Sequence, residues 1–228
     1  MSCNPHNIVN SPGTSPTWQH LFGYSKREIL DLLPRHAKCS PELLAEITKY
    51  PDVVIKNHAD PRVKQIIGMV KAITKEAYRM QQFTRTEISA HGVLSGVIHV
   101  QHRVIDWTLV YFHHRFPTCV ICLYDEISRK TYVMHPDLQS YCYPQPLHEI
   151  VNLYDADLPI QSQFAEMQQS SRELFEHFYS SQFIVERANR PYFQKMIPDS
   201  CMELPGMKGG TERWFRNRRL DSYIPKTK

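Results

Sequence analysis

The chain has 228 residues, 42% of them hydrophobic and 22% charged, with a net charge of +4; this balance supports one domain with a sizeable core, or two small ones, and excludes intrinsic disorder away from the ends. No run of eighteen apolar residues occurs, which excludes a membrane-spanning segment. The six cysteines, at 3, 39, 119, 122, 142 and 201, are too sparse for a secreted disulfide scaffold and read as reduced thiols of a cytoplasmic protein.

Residues 1–19, rich in Asn, Pro, Ser and Gly, lack a basic segment followed by an apolar one, so they read as a flexible arm rather than a signal peptide. Ser25-Lys26-Arg27-Glu28 fits a capping box ahead of Ile29, Leu30, Leu32 and Leu33. Ser40-Pro41 and Asp60-Pro61 are two further helix starts, a capping residue followed by a first-turn proline. After the second of these, Val63, Ile66, Ile67, Val70, Ile73, Ala77 and Met80 form a helical stripe. Lys64, Lys71, Lys75 and Arg79 fall mostly off it and face water or a ligand. From Phe83 the period becomes two, with Phe83, Arg85, Glu87 and Ser89 on one face of a strand. "HGVLSGVIHV" supplies a turn and a second strand, and "RVIDWTLVYFHHRF" is apolar nearly all round, as a buried helix is. "TCVICLYD" and "KTYVMH" read as another hairpin, and "FAEMQQSSRELFEHFYSSQF" as a long amphipathic helix. The expected fold is α+β: a four-stranded antiparallel sheet with a buried helix between its two hairpins, flanked by N-terminal and C-terminal helices. It forms a single domain over 20–206, followed by a basic aromatic tail over 207–228.

Charge is uneven along this order. Residues 61–100 hold six bases and two acids, 141–190 hold three and seven, and 191–228 hold eight and four. Such a pattern gives one positive face that attracts a polyanion, or simply solvated helices. In the tail, Arg213, Arg216, Arg218 and Arg219 surround Trp214 and Phe215. The bases suit phosphates and the rings suit unpaired bases, while the same aromatics can instead dock the tail on its own domain. "NRRLDSYIPKTK" also resembles the short peptides that bind sliding clamps, with Leu220, Tyr223 and Ile224 as apolar plugs.

Three motif groups, in order, carry a family resemblance: "MVKAITKEAYRMQQFTRT"; then "VIHVQHRV" with "LVYFHHRF"; then "ELFEHFYSSQF", "ERANRPYFQKMIP" and "MELPG". Over about residues 20 to 206 the chain resembles the uncharacterised bacterial "probable DNA metabolism protein" family. Some of its members are fused to a uracil-DNA-glycosylase-like domain, and others are encoded beside a radical-SAM protein proposed to repair or modify DNA. Tyr78 stands where many relatives have His, and the family's Trp-Asp-Gly is not evident in "LYDEISRKTYVMH". The resemblance implies a DNA-related role and no particular reaction. Partners follow from it: DNA, and a repair enzyme of the uracil-DNA glycosylase or radical-SAM type.

His102 matches the family's His. A neutral imidazole there can accept a proton, or it can be a cap or core histidine bonded to backbone. Arg85, Arg115 and Arg187 match the family's basic positions. An Arg within an alternating strand must pair with an acid, such as Glu87, or grip an anion. Catalytic roles are therefore assigned to His102 and Arg85. Nucleic-acid contact is assigned to Lys71, Lys75, Arg79, Arg85, Arg213, Trp214, Phe215, Arg216, Arg218 and Arg219. Cys119 and Cys122 have the spacing of a metal knuckle, with His113 and His114 nearby in sequence, but residues three apart in a strand point to opposite faces, so no metal is assigned. Asp106, Asp125 and Asp137 are carboxylates that a nuclease-like site would need to gather in space. No phosphate loop, nucleophile elbow, zinc-protease motif or dinucleotide turn is present, and no cofactor is implied. The expected function is a DNA-metabolism protein, in repair or base modification, that binds nucleic acid through a basic face. Two alternatives stand beside it: a non-catalytic adaptor that holds a repair enzyme or sliding clamp through the tail, and a metal-dependent nuclease or glycosylase-like enzyme.

Overall fold

The structure is a computed structural model and describes residues 6–7, 24–57, 60–165, 192, 195–197, 199–205 and 207. The helical starts fold as their capping residues dictate. Helix α1 (Lys26–Leu32) opens on a capping box: the Ser25 Oγ accepts from the Glu28 N–H, and the Glu28 carboxylate accepts from the Ser25 N–H at 2.7 Å. A 3-10 turn (Leu33–Arg35) follows it. Helix α2 (Pro41–Lys49) starts at Ser40, and α3 is Asp52–Asn57. Helix α4 (Pro61–Phe83) starts where Asp60 accepts from the N–H groups of Arg62 and Val63, at 2.7 and 3.2 Å.

The stripe read from the period of α4 is the stripe that is buried. Its first half, Val63 to Val70, closes a core with α1, α2 and α3 through Ile29, Leu33, Ile47 and Ile55. Its second half, Ile73, Ala77 and Met80, packs with Trp107, Leu109, Ile121 and Leu123 in the main core. One helix therefore joins two cores, and its outer face runs the length of both.

The sheet has six strands in the order β1-β6-β5-β4-β3-β2. They are β1 (His6–Asn7), β2 (Thr86–Ile88), β3 (Val93–Ile98), β4 (Val120–Asp125), β5 (Lys130–Met134) and β6 (Ser140–Tyr143). This corrects the four antiparallel strands expected from the sequence. The sheet is mixed: β3 and β4 are parallel, with Val93 opposite Val120 and Ile98 opposite Asp125, and the other pairs are antiparallel. The reason is α5 (Ile105–Arg115), which carries the chain back across the sheet so that β4 starts at the end where β3 started. Strand β2 is also shorter than the alternation predicts. Helix α4 continues through Phe83, and pairing begins only at Thr86. Close approach there relies on Gly96, where a Cβ would lie 3.2 Å from the Arg85 carbonyl oxygen and 3.1 Å from Thr86 Cγ2.

Helix α6 (Leu147–Asp157) covers the opposite face of the sheet through Ile150, against Val93, Val120, Cys122 and Val133. Two short helices, α7 (Ser162–Ala165) and α8 (Asp199–Met202), complete the described elements. The main core reaches Cys201, Leu204 and Met207, so packing extends to the residue at which the tail was expected to begin. Among the described residues no helix is long and apolar enough to cross a membrane. Most of the long helix expected after Phe164 lies outside the described residues.

Candidate nucleic-acid interface

Two features stand out, the first of them at the carboxyl ends of the parallel strands. The first is a junction of three segments. Asp125, at the end of β4 and 2% exposed, accepts from the Val100 N–H after β3 and from the N–H groups of Ile127 and Ser128 in the next turn, at 2.9 to 3.3 Å. Glu76, on α4, accepts from the N–H groups of Gln101 and His102 at 2.9 and 2.7 Å. Arg35 forms a two-pronged pair with Asp106 at 2.7 and 2.8 Å, donates to the Arg103 carbonyl at 2.7 Å, and accepts from the Arg103 N–H at 2.9 Å. Its guanidinium lies 4.3 Å from the centre of the Trp107 ring. These bonds lock the 3-10 turn, the β3–α5 loop and the middle of α4 together.

Within the junction the imidazoles of His36 and His102 stack at 4.3 Å, 30° from parallel. His36 Nδ1 accepts from the Lys38 N–H at 3.1 Å, and His102 Nδ1 from the Ala37 N–H at 3.3 Å. The His36 imidazole is held below its ordinary range, first by burial and then by the charges of His102 and Lys38.

The second feature is the outer face of α4. At about 100° per residue, Lys64, Lys71, Lys75 and Arg79 fall within an arc of about 80° opposite the buried stripe, over a length of about 22 Å. The three lysines are exposed and Arg79 is partly so. Among the described residues none of the four makes an ion pair. Glu76 is the one acid in this helix, and its carboxylate serves the two backbone N–H groups of the loop. Within this arc Gly68 lies between the bases and Gln82 beyond Arg79, and the partly buried Tyr78 stands about 20° outside its edge.

The remaining candidates are dispersed. Arg85 does not join the junction: it donates to the Gln82 carbonyl at 2.8 Å, lies 3.5 Å from Met207 Sδ, and its half-burial lowers its affinity for a proton. His99 lies 3.6 Å from the Glu126 carboxylate. Arg115 donates to its own helix's Tyr111 hydroxyl at 2.8 Å. Asp106 pairs with Arg35, Asp125 ties the strand ends, and Asp137 accepts from the Gln139 N–H, so the three carboxylates do not gather. Cys119 packs in the main core and Cys122 in the cluster under α6, on opposite faces of the sheet, and burial raises both thiols. Arg187 and the tail residues Arg213, Trp214, Phe215, Arg216, Arg218, Arg219, Leu220, Tyr223 and Ile224 lie outside the described residues. The sequence reading missed Arg35, His36 and Glu76. His36 lies sixty-six positions before His102, and no local spacing links the two.

Residues 34–203 match the model of a family described as a domain of unknown function, DUF4130. No curated protein and no solved structure matches the chain.

Proposed function

We propose, from the premise that the chain belongs to the DUF4130 family, that it acts in DNA metabolism by holding the phosphate backbone of nucleic acid along the outer face of α4. The observation that carries this reading is the row Lys64, Lys71, Lys75 and Arg79, unpaired among the described residues. Four cations against the helix's one acid, Glu76, leave a net positive strip that a polyanion neutralises. The resemblance of the chain's motifs to a DNA-metabolism family gives the polyanion its identity. With no ring inside the arc and only the partly buried Tyr78 at its edge, contact is to phosphates, and affinity is independent of sequence.

The test is a titration of labelled duplex with the full chain at several salt concentrations. Four phosphate contacts predict a slope of log K against log salt of about −3.6 on a duplex, steeper where the tail adds contacts. Replacing any one of the four bases by Gln is expected to make the slope shallower by about 0.9. Failure to bind duplex at low salt, or slopes indifferent to all four replacements, contradicts the reading.

A further inference from the structure

The His36–His102 stack has a chemistry that the α4 row does not use. Each Nδ1 accepts from a backbone N–H, and a backbone N–H can only donate, so each neutral ring carries its proton on Nε2. The two N–H groups that fix the rings belong to successive residues of one turn, Ala37 and Lys38. Near-parallel rings that both turn Nδ1 toward that turn present both Nε2–H groups on the side away from it. Neither Nε2 has a hydrogen-bond partner among the described residues, and both rings are only partly buried. The surrounding charges favour an anion. Asp106 is paired with Arg35, and Glu76, bonded only to backbone N–H groups, keeps the single negative charge that faces the two cations of this loop. Lys38 and Arg103 are exposed and make no ion pair among the described residues.

We propose that the stacked His36–His102 pair binds a phosphate group, its two Nε2–H groups donating to oxygens of one phosphoryl unit, with Lys38 and Arg103 supplying complementary charge. Two unpaired cations against the one charge of Glu76, with two polarised donors, suit a dianion better than a carboxylate. A metal ion does not suit the pair, because the imidazole lone pairs face the turn. The loop that carries His102 is fixed to α4 at Glu76, beside Lys75 and Arg79, so a strand lying on α4 passes the pair. In that form the inference rests on the proposed backbone reading. A free phosphate ester presents the same chemistry and needs no such reading.

The test uses the full chain labelled with 15N, following the imidazole signals while inorganic phosphate, then acetate, then duplex is added. His36→Asn and His102→Asn serve as variants, since the Asn oxygen can still accept from the turn while the Nε2 donor is lost. Saturable movement of both Nε2 signals with phosphate, weakened at least tenfold in either variant, is the expected result. Signals that stay still at millimolar phosphate, that respond equally to acetate, or, in the single variants, a remaining imidazole that answers phosphate with unchanged affinity overturn the proposal. Duplex binding with its salt slope intact and silent imidazoles refutes the pair while sparing the α4 reading. Imidazoles that answer inorganic phosphate in a chain that binds no duplex leave the pair as a site for a free ester and refute the α4 reading.

Discussion

Asp125 holds the ends of two parallel strands with one carboxylate, and its three N–H partners come from both sides of β4. Removing it leaves the buried Val100 N–H and the part-buried N–H groups of Ile127 and Ser128 without their acceptor. Asp125→Ala is expected to cost about 3 kcal/mol in chemical denaturation, a figure typical of a broken buried network. A loss within the error of the measurement would show that water replaces it freely. His113 is the opposite case. It is 9% exposed, its Nδ1 has no hydrogen-bond partner among the described residues, and burial together with His114 holds it below the ordinary imidazole range. The unfolded chain therefore takes up its proton first as pH falls. Stability attributable to this neutral ring is complete above the ordinary imidazole value of about 6.5 and is lost as pH drops from there toward the lower folded value. His36 and His135, lowered in the same direction and chiefly by burial, act with the same sign. His113→Leu removes an orphaned polar atom, so denaturation midpoints should be equal to or above those of the unaltered chain at pH 7.5, and the fall between pH 7 and pH 5 should be shallower. A steeper fall in the variant contradicts this account of the acid sensitivity.

At the scale of elements, what was legible depended on whether the signal is local. The buried face of α4 is legible because seven apolar side chains repeat with the helical period, and the same period places the bases opposite them. Strand direction carries no such mark. The alternation of β3 and β4 is the same whether they run parallel or antiparallel, and only the helix between them, too long for a hairpin, marks a crossover. Strand β6, four residues with Ser140 and Tyr143 buried and Tyr141 and Cys142 half-buried, has no clean alternation to find. The end of α4 was placed too early because Phe83 and Arg85 alternate by chance with Glu87. That junction yields a direct prediction. Gly96→Ala would bring a Cβ to within 3.2 Å of a carbonyl oxygen that belongs to backbone and cannot swing away. The expected cost is about 1 to 3 kcal/mol, read from thermal or chemical unfolding. An unchanged midpoint would show that β2 shifts without resistance.

For the whole molecule, the fold gives the sequence's charge imbalance a direction. The bases at 64, 71, 75 and 79 share one helix face, whereas Arg85 turns to Gln82 and Met207 and does not extend the strip. The His36–His102 junction lies at the carboxyl edge of the sheet, assembled from segments that are distant in sequence and therefore invisible to any reading of spacing. The measurement that tests the central claim most directly compares two variants of equal net charge. One replaces Lys64, Lys71, Lys75 and Arg79 by Gln; the other replaces Lys49, Lys56, Arg129 and Lys130, exposed bases on other elements. Both are titrated with duplex across a range of salt. The α4 account predicts that the first variant loses about 3.6 from the slope of log K against log salt while the second keeps nearly all of it. Equal losses in the two variants would show that net charge, and not the face of α4, draws the polyanion.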